Sequence, residues 1–352
     1  MSSLESIFNR CIEKNASDIH LSVDIPPTYR INGRLRHFGE PVLTHETLEA
    51  LVHELAGEKY REDLRTKPTV EFSYAHPSGN RFRVSIFRQS THFAAAMRLI
   101  PSRIFTMEEI GLPNTIKRLL DRNHGLILVA GPTGVGKSTT LASMIDYINE
   151  TDDRHIITVE DPIEFVHRHK KSIINQRQLG SDTDSFAKAL REALRQDPDV
   201  ILVGEMRDLE TIETVLTAAE TGHLVLSTVH TFGSARTLDR IIDAFPAEHQ
   251  NQIRTQLSLN LAAVLSQELI PRKDKEGRIA AFEIMVATPA VQNLIRKGQT
   301  YNIQNEIQTG AGFGMVSLQN HLIDLMKKGI ISKEDTLFYS IDQDDTARRL
   351  KL

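Results

Sequence analysis

Residues 131 to 138 read Gly131-Pro132-Thr133-Gly134-Val135-Gly136-Lys137-Ser138, with Thr139 next. Glycines at 131, 134 and 136 let a backbone curl until several N–H groups face inward at phosphate oxygens. Lys137 brings a point charge to the terminal phosphates, and the Ser138 hydroxyl can join the shell of a magnesium ion. The apolar run Leu126 to Ala130 before the loop reads as a buried strand. The stretch Lys137 to Asn149 after it reads as a helix. That order aims the positive end of the helix at the same anion, so the chain is expected to bind ATP or GTP.

Four further segments could complete a nucleotide hydrolase. In Asp199-Val-Ile-Leu-Val-Gly-Glu205 an apolar strand leads to a carboxylate, a magnesium ligand or an orienter of water; an ordinary strand leaving the core through a solvated glutamate reads the same. Val159-Glu-Asp-Pro-Ile-Glu164 clusters carboxylates just past a strand, where open α/β sheets bind ligands, although a charged surface loop is the alternative. In His223-Leu-Val-Leu-Ser-Thr-Val-His230 the two histidines point to opposite strand faces and are poor candidates for chelating one metal together. His230 stands at the exit end, near a γ-phosphate; His223 starts the strand and reads as a contact residue. Arg81 and Arg83 share one strand face and Arg98 ends the next strand. They read either as a solvated sheet face or as arginines reaching ATP on a neighbouring subunit, a task suited to a planar, permanently charged fork.

These residues need elements to hold them. The first hundred residues read as a small α+β domain. Leu4, Ile7, Phe8, Cys11 and Ile12 share a helical face, and Leu48, Leu51, Val52 and Leu55 share another behind a Thr44 N-cap. Strands are expected at 18–22, 29–36 with an Asn32-Gly33 turn, 70–75, 81–89 and 93–100. Residues 101–124 connect, with a helix at Thr115 to Leu120. Residues 125–270 alternate strand and helix, the pattern of a parallel sheet, with strands at 126–130, 155–159, 200–203 and 224–229 and a helix from about Leu209 between an Asp208 N-cap and a Gly222 C-cap. Residues 271–352 read as mostly helical.

Composition limits the alternatives. At 352 residues the chain exceeds one ordinary core, and its 40% apolar and 25% charged content is that of a soluble globular protein. Lys plus Arg number 42 and Asp plus Glu 46, a formal charge of −4, so no whole-molecule basic field draws in nucleic acid. One cysteine, Cys11, fits a reducing cytosol. No apolar run approaches the roughly eighteen residues of a membrane span, and the N-terminus lacks the pattern of a signal peptide.

Together these motifs resemble the PilT-type retraction motors of bacterial type IV pili, among the secretion ATPases that include PilB and GspE. The resemblance runs from Ala16-Ser-Asp-Ile-His20 to Ile307-Gln-Thr-Gly310. Ile157-Thr-Val-Glu-Asp-Pro-Ile-Glu-Phe-Val166 looks like the family's Asp box, Gly204-Glu-Met-Arg-Asp-Leu-Glu-Thr211 like its Walker B end, and Thr221 to His230 like its His box. The resemblance implies a PAS-like N-terminal domain, a RecA-like ATPase domain and a helical C-terminal region, assembled as a homohexameric ring. ATP and Mg2+ would sit in the ATPase domain, and the next subunit would complete the site. Glu164 and Glu205 divide the remaining work, with Glu164 favoured for water and Glu205 for magnesium. His230 would sense the γ-phosphate. The ring would turn an inner-membrane platform protein from the cytoplasmic side, so that pilin subunits return from the fibre.

The single cysteine excludes the tetracysteine zinc module common in the GspE and PilB branches. The stretch Ala290-Val-Gln-Asn-Leu-Ile295 only partly matches the retraction motors' AIRAGL segment, with Gln292 in place of the arginine. This leaves both the principal motor and a paralogous PilU-like accessory open. Rivals of other classes are a DNA translocase, marked by activity stimulated by single-stranded DNA, and a regulatory subunit that binds nucleotide without hydrolysing it.

Overall fold

The computed structural model describes residues 3–31, 33–100 and 103–350. The chain divides into two compact units: residues 1–103 with 162–166, and residues 104–161 with 167–352.

In the first unit the helices Leu4–Glu13 and His45–Ala56 accompany a six-stranded antiparallel sheet. Its strands are β1 (Asp18–Leu21), β2 (Thr28–Ile31), β3 (Arg34–Arg36), β4 (Thr69–Ala75), β5 (Arg81–Gln89) and β6 (His92–Ile100), in the order β3-β2-β1-β6-β5-β4. Ser3 caps the first helix and Thr44 the second, each hydroxyl accepting a backbone N–H of the first turn. The strand period shows cleanly in β5. Phe82, Val84 and Ile86 are buried, while Arg81, Arg83 and Ser85 stand on the other face. Phe82 meets Phe8 of the first helix with ring centroids 4.4 Å apart. The Asn32 of the expected turn lies outside the described residues; Gly33 beside it has φ 78°. The β5–β6 turn is made by Ser90 and Thr91, both left-handed at φ 47° and 71°, without the glycine or asparagine that would have marked it.

The second unit is built on a seven-stranded sheet of β7 (Gly125–Ala130), β8 (His155–Glu160), β9 (Ile173–Gln178), β10 (Val200–Val203), β11 (Leu224–Val229), β12 (Leu261–Pro271) and β13 (Arg278–Val286). The order is β13-β12-β7-β11-β10-β8-β9, parallel throughout except for the antiparallel β12–β13 pair. The phosphate-loop strand β7 is buried on both faces, as an apolar run without alternation requires. Leu126, Leu128 and Ala130 join one core with the helices Phe186–Ala193, Leu209–Glu220, Ser234–Asp243 and Ala247–Asn260. Ile127 and Val129 join the other with Lys137–Thr151 and Thr115–Leu120.

The turn to helix near residue 270 comes later than expected, because β12 runs to Pro271 and β13 adds a further strand. Leu261-Ala-Ala-Val-Leu265 and Ala280-Ala-Phe-Glu-Ile-Met285 are apolar runs rich in alanine and leucine. Such runs suit a buried helix as well as a buried strand, and only pairing decides. From Pro289 onward the chain is helical: Pro289–Arg296 behind a Thr288 cap, then Ile303–Thr309, Leu318–Lys327, Lys333–Phe338 and Gln343–Leu350. No helix among the described residues is long and apolar enough to cross a membrane.

Candidate active site

Strand register collects the site. Ala130, the last residue of β7, stands beside Val229 of β11 on one side and Ser266 of β12 on the other. One residue further on, Gly131 therefore runs between His230 and Gln267. On the far side of β11, Ser227 registers with Val203. The next pair is tied by the Thr228 hydroxyl donating to the Gly204 carbonyl at 2.6 Å. Glu205 follows. Three side chains, those of His230, Gln267 and Glu205, and the Gly131 backbone thus come from four strands or their exits to the carboxyl edge of the sheet.

The loop itself is shaped for close approach. Gly131 has φ 147°, and a Cβ there would stand 2.6 Å from the Gln267 carbonyl oxygen. Gly136, at φ 91°, is the N-cap of the helix Lys137–Thr151 and provides no side-chain cap. The helices beginning after Ser3, Thr44, Ser185 and Asp208 all have one. The leading N–H groups of Lys137–Thr151 are left to an external acceptor, and an anion with several oxygens fits that end. Ser138 and Thr139, half-buried, occupy its first turn.

Lys137 is buried, and its Nζ donates to the carbonyls of Gly131 at 2.8 Å and Pro132 at 2.9 Å. The same ammonium is 3.4 Å from His230 Nδ1. On the other side of the ring, His230 Nε2 is 3.2 Å from Glu205 Oε2. An ammonium can only donate, so Nδ1 accepts; the ring proton then sits on Nε2 and is donated to the carboxylate. The result is a relay, Lys137 to His230 to Glu205. Glu205 is 8% exposed, and its other oxygen pairs with Arg207 at 2.6 Å.

The family model described as type II/IV secretion system protein matches residues 1–332. The chain belongs to that family. The type IV pilus retraction ATPase PilT of Pseudomonas aeruginosa is 50% identical over 323 residues, 92% of this chain and 94% of that protein. The type IV pilus ATPase PilU of the same organism is 38% identical over 348 residues, 99% of this chain and 91% of that protein. A crystal structure of the pilus retraction motor PilT with bound ADP matches at TM-score 0.92 and 44% identity, covering 99% of this chain and 100% of that one. Like its family, the chain is an ATPase.

Within this secretion ATPase the other sequence candidates are spread more widely. His223 lies just before β11, where its Nδ1 donates to the Ala218 carbonyl at 3.0 Å. A six-residue strand separates it from His230, roughly 20 Å, so the two histidines do not meet within one chain. Glu164 is half-buried in the segment 162–166 that belongs to the first unit. Arg81 donates to the Ser73 hydroxyl through Nε at 3.3 Å, and Arg83 pairs with Glu71 at 3.3 Å. Arg98 pairs with the buried Asp18 at 2.8 Å. Burial pushes the Asp18 carboxyl up, but the Ser17 hydroxyl and the Arg98 guanidinium outweigh it and hold the group below the usual range.

Arg207 and Gln267 carried no individual role in the sequence reading, and Glu160 entered it only as one of the carboxylates clustered at 159–164. Arg207 lies two residues past Glu205 in an irregular segment, and that spacing was its only signal. Glu160 ends β8 and accepts from the Thr158 hydroxyl at 2.6 Å and the Gln176 amide at 3.1 Å, adding a second anchored carboxylate at the strand ends. A Cβ on Gly204 would stand 3.4 Å from the Glu160 Cα, so the glycine before Glu205 lets these two strand exits run close. Gln267 is separated from the loop by about 130 residues and nothing local marks it.

Proposed function

We propose that the chain is the motor of type IV pilus retraction, a homohexameric ring on the cytoplasmic side of the inner membrane. The observation that supports this best is the Lys137–His230–Glu205 relay, in a chain that aligns along almost its whole length with a retraction ATPase. Lys137 and the loop amides hold the β- and γ-phosphates. Ser138 and Glu205 would hold Mg2+, which would supply neutralisation of charge on the transferred phosphoryl group. His230 takes the sensing position because it touches both the phosphate-binding lysine and the acid. Glu164 is assigned the attacking water, and Arg81, Arg83 and Arg98 are assigned to complete the site of a neighbouring protomer. Differential contacts to ATP and ADP would swing the two units, turn an inner-membrane platform protein and return pilin to the membrane. Identity of 50% to PilT against 38% to PilU supports the principal motor over the accessory.

Two measurements test this. Deleting the gene is expected to give hyperpiliated cells that do not twitch; bald cells would mean extension instead. Purified Lys137→Ala is expected to release no phosphate above background, because charge on the phosphates goes unpaired. Turnover near the wild-type rate by that variant would sink the assignment. ATP binding without phosphate release by the wild type would mean a regulatory subunit. Several-fold stimulation by single-stranded DNA, with steep salt dependence, would mean a translocase.

A further inference from the structure

We infer that Gln267 is a positioning residue for the nucleotide loop, its side-chain amide fixing the direction in which the loop presents its backbone N–H groups. Gln267 sits on β12 immediately after Ser266, the neighbour of Ala130, and only 2% of it is exposed. A primary amide in that setting is costly unless its polar atoms are matched. Both are matched within the loop and its helix. The Thr140 hydroxyl donates to Oε1 at 2.7 Å, and Nε2 donates to the Val135 carbonyl at 2.6 Å. The Val135 oxygen can only accept, so the amide has one orientation.

The consequence follows from peptide geometry. In a trans peptide the carbonyl of one residue and the N–H of the next point in opposite directions. Holding the Val135 carbonyl toward β12 therefore turns the Gly136 N–H away from it. A Cβ on Gly136 would stand 3.2 Å from Gln267 Nε2, and one on Gly131 would stand 2.6 Å from the Gln267 carbonyl. One residue thus sets both ends of the glycine-rich loop, and through Thr140 it ties them to the first turns of the following helix. A loop already in its binding shape spends less on ordering when phosphate arrives.

The test uses the full chain and a fluorescent ADP. Gln267→Met keeps the volume and removes both hydrogen bonds. It is expected to raise the Kd for ADP and the KM for ATP about tenfold, with kcat changed less. Gln267→Glu keeps the Thr140 bond but turns an oxygen to the Val135 carbonyl, so it should bind ADP no better than the methionine variant. Thr140→Val removes one arm and should raise the Kd about threefold. Melting curves establish that each variant is folded. Wild-type Kd and KM in folded Gln267→Met, even with a lowered melting temperature, would overturn the inference and leave Gln267 a packing residue. If neither Gln267 variant folds, Thr140→Val decides, and a wild-type Kd there overturns it equally.

Discussion

Glu205 is the carboxylate proposed to serve the reaction, and its two oxygens are committed in different directions. One meets Arg207 and the other the His230 ring. Gln in its place would keep the size but lose the charge, and its single carbonyl oxygen could accept from His230 or from Arg207 but not from both. Glu205→Gln is therefore expected to lower phosphate release at least about 100-fold while the Kd for ADP moves less than about threefold. Steady-state phosphate release and labelled-nucleotide titration separate these effects, and turnover at the wild-type rate would remove Glu205 from the reaction. Arg207 is mostly exposed, so its pair with Glu205 contributes little to stability, under about 1 kcal/mol. Its loss should appear in turnover rather than in the melting temperature.

At the scale of elements, two positions report on the ATPase unit. Gly131→Ala would push a Cβ to 2.6 Å from a backbone oxygen at φ 147°, where no side chain sits comfortably. Either the β7 exit or β12 must shift, at a cost of about 2 kcal/mol or more, and nucleotide affinity should fall with the melting temperature. His167 follows the 162–166 segment, 9% exposed, with its Nδ1 buried and unpaired. Burial lowers its pKa to about 4 from an ordinary 6.5. The unfolded chain takes a proton that the folded chain refuses, so stability is fully present above pH 6.5. It is lost progressively as pH falls toward 4, by on the order of 2–3 kcal/mol. Denaturant midpoints at pH 7 and pH 5 should differ less in His167→Asn than in the wild type; equal slopes would show that the ring titrates normally.

The same elements show what could be read beforehand. The β7–loop–helix unit was legible because glycine spacing, an apolar run and a helix start agree within a few residues. The exposed face of β5 and the helix starts at Thr44 and Asp208 were legible for the same reason. β9, β12 and β13 were not, since their membership depends on pairing with strands distant in sequence. Gln267 was hidden with them: a polar residue in a buried strand acquires its meaning only from the loop laid against it.

At the scale of the whole molecule, the proposed ring would let one protomer's arginines serve another's nucleotide, and Arg98 and Arg83 differ in how firmly their own chain holds them. Arg98 is drawn into its own unit by buried Asp18, and removing it would leave that carboxylate short of a partner. Arg83 is held more loosely. Its partner Glu71 lies on an exposed strand face with 54% of its side chain open to solvent. Such a pair is weak and easily exchanged for phosphate oxygens, so Arg83 is the better candidate to act across protomers. Arg83→Ala and Lys137→Ala are each expected to be inactive alone. Coexpressed in equal amounts, they form some neighbour pairs in which an intact loop on one chain faces an intact Arg83 on the next. In a ring of random order that is about a quarter of the sites. Recovery of phosphate release toward that fraction is therefore expected in the mixture. If Arg83 served only its own chain, every site would lack one group or the other, and the mixed assemblies would stay as inactive as their parents.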